Sequence, residues 1–343
     1  MNYNQEPLVS ISCITYNHKN YIRECLDGFL MQKTTFPFEI IIHDDCSTDG
    51  TREIIEEYAA KYPDIIFPMF QTENQYSKGV RSMMVRFNFT RCKGKYIALC
   101  EGDDYWTDSF KLQKQVDFLE KNSDFSICFH NLKVYNEIDA TTDKVACKNQ
   151  KSVLDIIDLA TRGNFIHTPS VVFKMPEDGL PSWFINLPIG DYPLHLFNAQ
   201  FGKIKYIDEV MGVYRIHAGG TWGHMPKEKL SERWIEMLTK IENKFSPEIG
   251  YLLKDMKKRS LFNLFIISVN QKNEEKAREV GTRIMEVDPY FLVNKIITSE
   301  EKQDEVNKKM NSRVFKISCF IKKKGASIKK IFKLKKQKNK NKK

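Results

Sequence analysis

The chain has 343 residues, enough for one large α/β domain with an appendage, and its composition is that of a globular protein. No apolar run approaches the ~20 residues that span a bilayer, and the N-terminal Met-Asn-Tyr-Asn-Gln-Glu-Pro lacks the basic and apolar regions of a secretory signal, so a cytoplasmic chain is expected. The net charge of +10 misleads as an average: Arg313 to Lys343 holds 14 Lys and Arg and no acid, leaving 40 basic against 44 acidic residues before it, a net of −4.

Val9 to Ile14 is rich in β-branched residues and reads as a first strand, ending on Thr15-Tyr16-Asn17-His18. A helix follows from about Asn20, because Ile22, Leu26, Phe29 and Leu30 share one helical face. Phe38 to His43 is a second buried strand, running into the turn- and cap-rich loop Asp44-Asp45-Cys46-Ser47-Thr48-Asp49-Gly50-Thr51. Arg52 to Tyr62 has helical spacing, Ile65 to Phe70 reads as a third strand, and a polar loop over 71–79 leads to a helix expected to reach Cys92.

Tyr96 to Cys100 is an apolar run of strand length behind Gly94, the pattern of a strand buried on both faces of a parallel sheet. It stops on Glu101-Gly102-Asp103-Asp104, carboxylates released where open α/β sheets bind ligands. Two readings stand at this point. One is a site for Mg²⁺ or Mn²⁺, which in turn holds a diphosphate; the other is a solvated acidic turn.

Asp108 to Asn122 is a helix, Phe125 to Val134 a strand, 136–152 an irregular connection, Val153 to Ala160 a short helix and Ser170 to Lys174 a short strand. Gly190-Asp191-Tyr192-Pro193 opens a helix with Asp191 near its N-terminus, where the helix dipole favours a carboxylate. Ile204 to Ile207 and Val210 to Tyr214 read as two strands leading to Arg215-Ile216-His217, and Lys227 to about Lys309 is helical throughout. The alternation of strands and helices predicts a mostly parallel sheet with right-handed crossovers, and one site built from loops at its carboxyl edge. The expected domains are 1–225, a helical region over 226–312 and a basic tail over 313–343. The eight cysteines form no Cys-x-x-Cys pair, which points to reduced, largely buried thiols.

Taken in order, Thr-Tyr-Asn-His, Asp-Asp-Cys-Ser-Thr-Asp-Gly-Thr, Glu-Gly-Asp-Asp-Tyr-Trp, Gly-Asp-Tyr-Pro and Tyr-Arg-Ile-His resemble the family 2 glycosyltransferases over residues 8–222. These are inverting enzymes of the GT-A fold. The resemblance implies that Thr15, Tyr16 and Asn17 line a nucleotide pocket, that Asp44 accepts from the base, usually uracil, and that Asp45 supports that loop. It matches Asp103 to the ribose or donor sugar, Asp104 to a Mn²⁺ or Mg²⁺ ion, Asp191 to the catalytic base, and His217 to a position near metal and diphosphate. Lys78 and Arg81 are candidates for diphosphate or base contact. Where many relatives carry an Asn near position 86, this chain has Arg86, with Asn88 close by. Gly102 replaces a larger residue, a change expected to widen the donor pocket. Trp106 is expected to be a wall or core residue, and His18, His43, His130, His167, His195 and His224 to be structural.

The implied activity is metal-dependent transfer of a sugar, most often UDP-linked, to a glycan or lipid-linked acceptor in capsule or lipopolysaccharide assembly. A sugar nucleotidyltransferase is a second reading, although Thr15 to Lys19 has no Gly-rich phosphate loop. A non-catalytic nucleotide-sugar- or RNA-binding protein is a third, weakened by the presence of both Asp104 and Asp191. The tail interleaves Phe315, Ile317, Phe320, Ile321, Ile328, Ile331 and Phe332 with lysine. That pattern fits an amphipathic segment on an anionic membrane surface, with nucleic-acid binding and a solvated tail as rivals.

Overall fold

The structure, a computed structural model, describes residues 6–138, 141–220 and 225–291, with backbone alone at 141–144. The expected basic tail lies outside the described residues. The chain divides into two compact units, 1–225 with 243–252, and 226–242 with 253 onward.

In the first unit β1 (Val9–Thr15), α1 (Ile22–Leu30), β2 (Phe38–Asp44), α2 (Thr51–Lys61), β3 (Ile66–Phe70) and β4 (Tyr96–Leu99) follow the expected alternation. Then come β5 (Tyr105–Trp106), α3 (Lys111–Lys121), β6 (Phe125–Asn136), β7 (Thr141–Val145), β8 (Val153–Leu154), α4 (Ile156–Arg162), β9 (Val172–Lys174), α5 (Asp191–Asn198) and β10 (Lys203–Ile216). The sheet order is β3-β2-β1-β4-β9-β6-β10-β5, with β7 on β6 and β8 on β10. β3, β2, β1 and β4 are parallel. β9 runs antiparallel to both β4 and β6, and β6 is parallel to β10. Two reversals restore direction, so β1, β2, β4 and β10 all deliver their carboxyl ends to one edge.

The inner strands are buried on both faces, as their unbroken apolar runs require. α1 closes one face of the core through Ile22, Cys25, Leu26 and Phe29, which pack with Trp106, Leu112 and Val116.

Four local expectations are corrected. The helix expected to reach Cys92 is a single π-helical turn, Met84–Asn88. That turn aims the Asn88 amide inward, where it donates to Ser12 Oγ (3.0 Å), the Cys13 carbonyl (2.9 Å) and the Ile41 carbonyl (3.3 Å). The stretch 136–152 contains β7, and Val153–Leu154 is strand rather than helix. The Asp155 side chain stops that strand by capping α4, accepting from the Ile157 and Asp158 amides. The two strands expected over 204–214 are one, β10, whose register slips on β6 on either side of Val210.

The second unit holds α6 (Lys227–Ile241), most of α7 (Pro247–Asn270) and α8 (Glu274–Val287). Its core is Ile235, Leu261, Leu264, Phe265, Val269, Ala277, Val280 and Ile284, and Glu232 bridges Lys276 (2.7 Å) and Arg283 (2.9 Å).

Candidate active site

The loop after β1 and the loop after β2 are knitted together. Asn17 takes a left-handed conformation (φ 55°), which asparagine tolerates better than most residues. Its N–H donates to Ser47 Oγ (2.8 Å) and its Oδ1 accepts from the Thr48 amide (2.9 Å). Asp44 is buried at the end of β2, accepting from the Ser47 amide (3.0 Å) and hydroxyl, and burial pushes its carboxyl upward. Asp45 accepts from the Gln75 and Tyr76 amides (2.8 and 3.0 Å), which holds the 71–79 loop beside the strand ends. Thr15 is buried while Tyr16 is exposed. On the flanking loop Lys78 pairs with Glu73, and Arg81 donates to the Tyr76 and Val80 carbonyls and stacks on the Tyr76 ring at 4.4 Å. Those two side chains are engaged within their own loop.

The acidic loop after β4 meets the end of β10. Asp103 Oδ2 lies 3.1 Å from His217 Nε2 and 3.8 Å from His18 Nε2. Asp104 is 1% exposed, and its Oδ1 accepts the Arg215 amide at 2.8 Å. The Arg215 guanidinium, itself buried, donates to the Asp103 carbonyl and to Glu24, both at 2.6 Å. It lies between the rings of Tyr21 (4.7 Å) and Tyr105 (4.9 Å). One buried cation thus clamps the acid loop to the sheet.

The charges in this loop are held far from their ordinary states. Burial, followed by the negative charges of Asp103 and Asp191, raises the Glu101 carboxyl to about 8. Burial, with Asp103 and Glu101 beside it, pushes Asp104 well above the usual range. Asp103 goes the other way: burial would raise it, but the His217 hydrogen bond and the His18 charge outweigh that. Crowded carboxylates with displaced proton affinities of this kind make the loop a candidate functional site.

Asp191 is the first residue of α5, and Asn164 Nδ2 donates to its Oδ2 at 2.6 Å. Burial raises its carboxyl despite the Tyr192 amide and Asn164, moving it toward the range useful for proton abstraction. Burial raises the Tyr214 phenol, and the negative charges of Glu101, Asp104, Asp103 and Asp191 add to the rise.

Two residues escaped sequence reasoning. His18 was expected to be structural, because nothing in its linear surroundings has ligand spacing; the strand-end convergence brings it to Asp103. Glu101 enters the same cluster, its carboxylate grouped with those of Asp103 and Asp104. Its signal was its place in the acidic run. His43 (stacked on Phe87 at 4.6 Å), His130, His167 and His195 stand outside both ligand clusters of the described residues, and His224 lies outside the described residues. Trp106 is core: 2% exposed, with Nε1 donating to the Pro169 carbonyl at 2.8 Å. Gly102 does not widen a pocket; a Cβ there would stand 2.7 Å from Thr15 Oγ1 and 3.1 Å from His18 Nδ1.

The family model described as glycosyl transferase family 2 matches residues 10–157. An uncharacterized Mycobacterium tuberculosis protein is 42% identical over 220 residues, 62% of this chain and 60% of that protein, so the chain spans about three-fifths of that relative's length. An uncharacterized glycosyltransferase of Nostoc sp. is 30% identical over 259 residues, covering 71% of this chain and 77% of its own. The putative teichuronic acid biosynthesis glycosyltransferase TuaG of Bacillus subtilis is 35% identical over 38% of this chain and 49% of its own. Among solved structures, S. aureus TarS residues 1–349 in complex with UDP-GlcNAc aligns with a TM-score of 0.59 at 17% identity, covering 81% of each chain. The architecture is therefore the GT-A fold, and the chain belongs to glycosyltransferase family 2.

Proposed function

We propose that this chain transfers a sugar from a nucleotide-diphosphate donor, UDP-linked, to a hydroxyl of a glycan or lipid-linked acceptor, with inversion at the anomeric carbon. The observation that carries it is the meeting of two kinds of carboxylate at one sheet edge. Asp103 stands beside His217 and is grouped with Asp104 and Glu101, and Asp191, its proton affinity raised by burial, is near enough for its charge to act on Glu101.

Thr15, Tyr16, Asn17, Asp44 and Asp45 form the nucleotide pocket in this reading. Lys78 and Arg81 reach the diphosphate only by leaving Glu73 and the loop carbonyls. The acid cluster fits a divalent ion: Asp103 Oδ1 and Asp104 Oδ2 are buried without a protein partner, and the donor set of carboxylate and imidazole suits Mn²⁺ or Mg²⁺. Asp103 would hold it, with His217 on one side or Asp104 on the other, and it would supply positive charge against the departing diphosphate. Asp191 takes the acceptor hydroxyl's proton as the oxygen bonds to the anomeric carbon and the nucleoside diphosphate leaves from the opposite face. A single displacement with one base gives inversion.

The test is a thermal-shift panel of UDP, GDP, CDP and dTDP with and without Mn²⁺. Stabilisation by UDP that needs Mn²⁺ and disappears in Asp103→Ala and Asp104→Ala is expected; no shift with any nucleotide refutes the donor site. Unchanged turnover in Asp191→Asn refutes the base.

The setting we infer is surface polysaccharide assembly at the cytoplasmic face of a membrane, with the basic tail as a peripheral anchor. The TuaG likeness and the lysine-rich composition of 313–343 support it. Among the described residues no helix is long and apolar enough to cross a membrane. A chain ending near Met310 should lose sedimentation with anionic liposomes, and full retention would dismiss the anchor.

A further inference from the structure

We propose that His18 joins Asp103 and His217 as a third protein ligand, giving a cation site of two imidazoles and one carboxylate that selects a first-row transition ion over Mg²⁺. The proposal rests on the reading of the acid cluster as the donor-site metal centre.

The three donor atoms come from three distant places in the chain and lie within 4.8 Å of one another. From Asp103 Oδ2, His217 Nε2 is 3.1 Å away and His18 Nε2 3.8 Å. Ligands held at about 2.1 Å around an octahedral ion lie about 3.0 Å apart along an edge and about 4.2 Å apart across it. The observed spacings fall in that interval, so small side-chain rotations suffice. The remaining positions stay open for diphosphate oxygens and water.

His18 is also built into place. Its carbonyl accepts the amides of Tyr21 (2.9 Å) and Ile22 (2.8 Å), which ties its backbone to the first turn of α1. On either side, the Asn17 amide bonds to Ser47 and the Lys19 amide to Asp49 (3.0 Å), which ties the backbone flanking the ring to the loop after β2. The ring meets His217 edge-on at 5.8 Å, and Tyr21 packs on His217 at 4.5 Å. Gly102 provides the independent observation. With no side chain, it lets the acid loop approach His18 Nδ1, and a Cβ there would stand 3.1 Å from that nitrogen and closer still to Thr15. Bringing the imidazole against the acid loop is what glycine achieves at this position.

The second acid group, Glu101 with Asp103 and Asp104, is an all-oxygen alternative that shares Asp103. Oxygen donors suit Mg²⁺, whereas imidazole raises affinity for Mn²⁺, Co²⁺ and Zn²⁺. The two sets therefore differ in metal preference.

Pulsed EPR of Mn²⁺ bound to the full chain with UDP counts coordinated imidazole nitrogens directly. We expect two in the wild type, one in His18→Gln and one in His217→Gln. Mn²⁺ affinity measured with UDP should fall at least about tenfold in His18→Gln, and Mg²⁺ affinity by less, so that the Mn²⁺/Mg²⁺ ratio drops. One imidazole in the wild type, unchanged in His18→Gln, overturns the proposal and leaves the donor-site reading intact. Equal losses for the two ions overturn the selectivity. No UDP-dependent Mn²⁺ binding by the wild type overturns the donor-site reading and this proposal with it. The wild-type count needs no variant, so a misfolded substitution does not blunt the test.

Discussion

Lys111 offers a prediction whose size follows from its surroundings. Its side chain is 0% exposed, Nζ has no hydrogen-bond partner, and the amine rests 3.9 Å from the centre of the Trp106 ring. Burial lowers its pKa from 10.5 to about 7, with Cys100 and Cys128 opposing weakly. Above about 10.5 the amine is neutral folded and unfolded, and burial carries no ionisation cost. Between about 7 and 10.5 the unfolded chain holds one more proton, so stability rises with pH through that window. Below about 7 both states are charged and the cost is constant, about 5 kcal/mol at about 1.4 kcal/mol per unit of pH. Lys111→Met removes the titration and keeps the length of the side chain. Urea unfolding of both proteins from pH 6 to 10.5 should show the variant's advantage shrinking as pH rises, on top of a pH-independent packing offset. A difference that stays flat across this range would mean that the amine remains charged in the fold, and the reasoning would fail.

Arg215→Met should cost about 3–5 kcal/mol, because it strips the buried clamp from Glu24 and the Asp103 carbonyl; Arg215→Lys should recover part of it, read from urea midpoints. Gly102→Ala should cost about 1–3 kcal/mol and weaken UDP binding in calorimetry, since its Cβ would strike Thr15. Gly190→Ala, where a Cβ meets nothing within 4 Å, should change stability by no more than about 0.5 kcal/mol. Trp106→Phe should lose about 1–3 kcal/mol in the same unfolding assay, because it removes a buried hydrogen bond to the Pro169 carbonyl and part of a packed ring.

Much of the first unit was legible because its signals are local. An unbroken apolar run such as Phe38 to His43 has one comfortable home, the middle of a parallel sheet, and the periodic face of Ile22, Leu26 and Phe29 specifies the helix that covers it. The places where reading failed have non-local causes. The stretch before Cys92 has helical composition, but the buried Asn88 must reach three acceptors on β1 and β2, and a single π turn meets that demand. β10 reads as two strands because Asp208 and Glu209 interrupt the apolar pattern, yet β6 pairs with it on both sides of the slip.

The same division runs through the site. By itself the sequence determined that acidic and polar residues leave the ends of the first, second and fourth strands, since strand ends and turn formers are written in short windows. It determined the family-like order of motifs for the same reason. Only the tertiary structure decided which of those groups touch. It set His217 and His18 on Asp103, buried Trp106 and Lys111, and made Arg215 the clamp of the acid loop. It also turned Gly102 from a presumed gap into a point of close approach. Contacts between residues about 100 positions apart depend on sheet order and on the two antiparallel pairings of β9, which return β10 to the same edge as β1. No local window carries that information, because it arises from how the strands satisfy one another's hydrogen bonds.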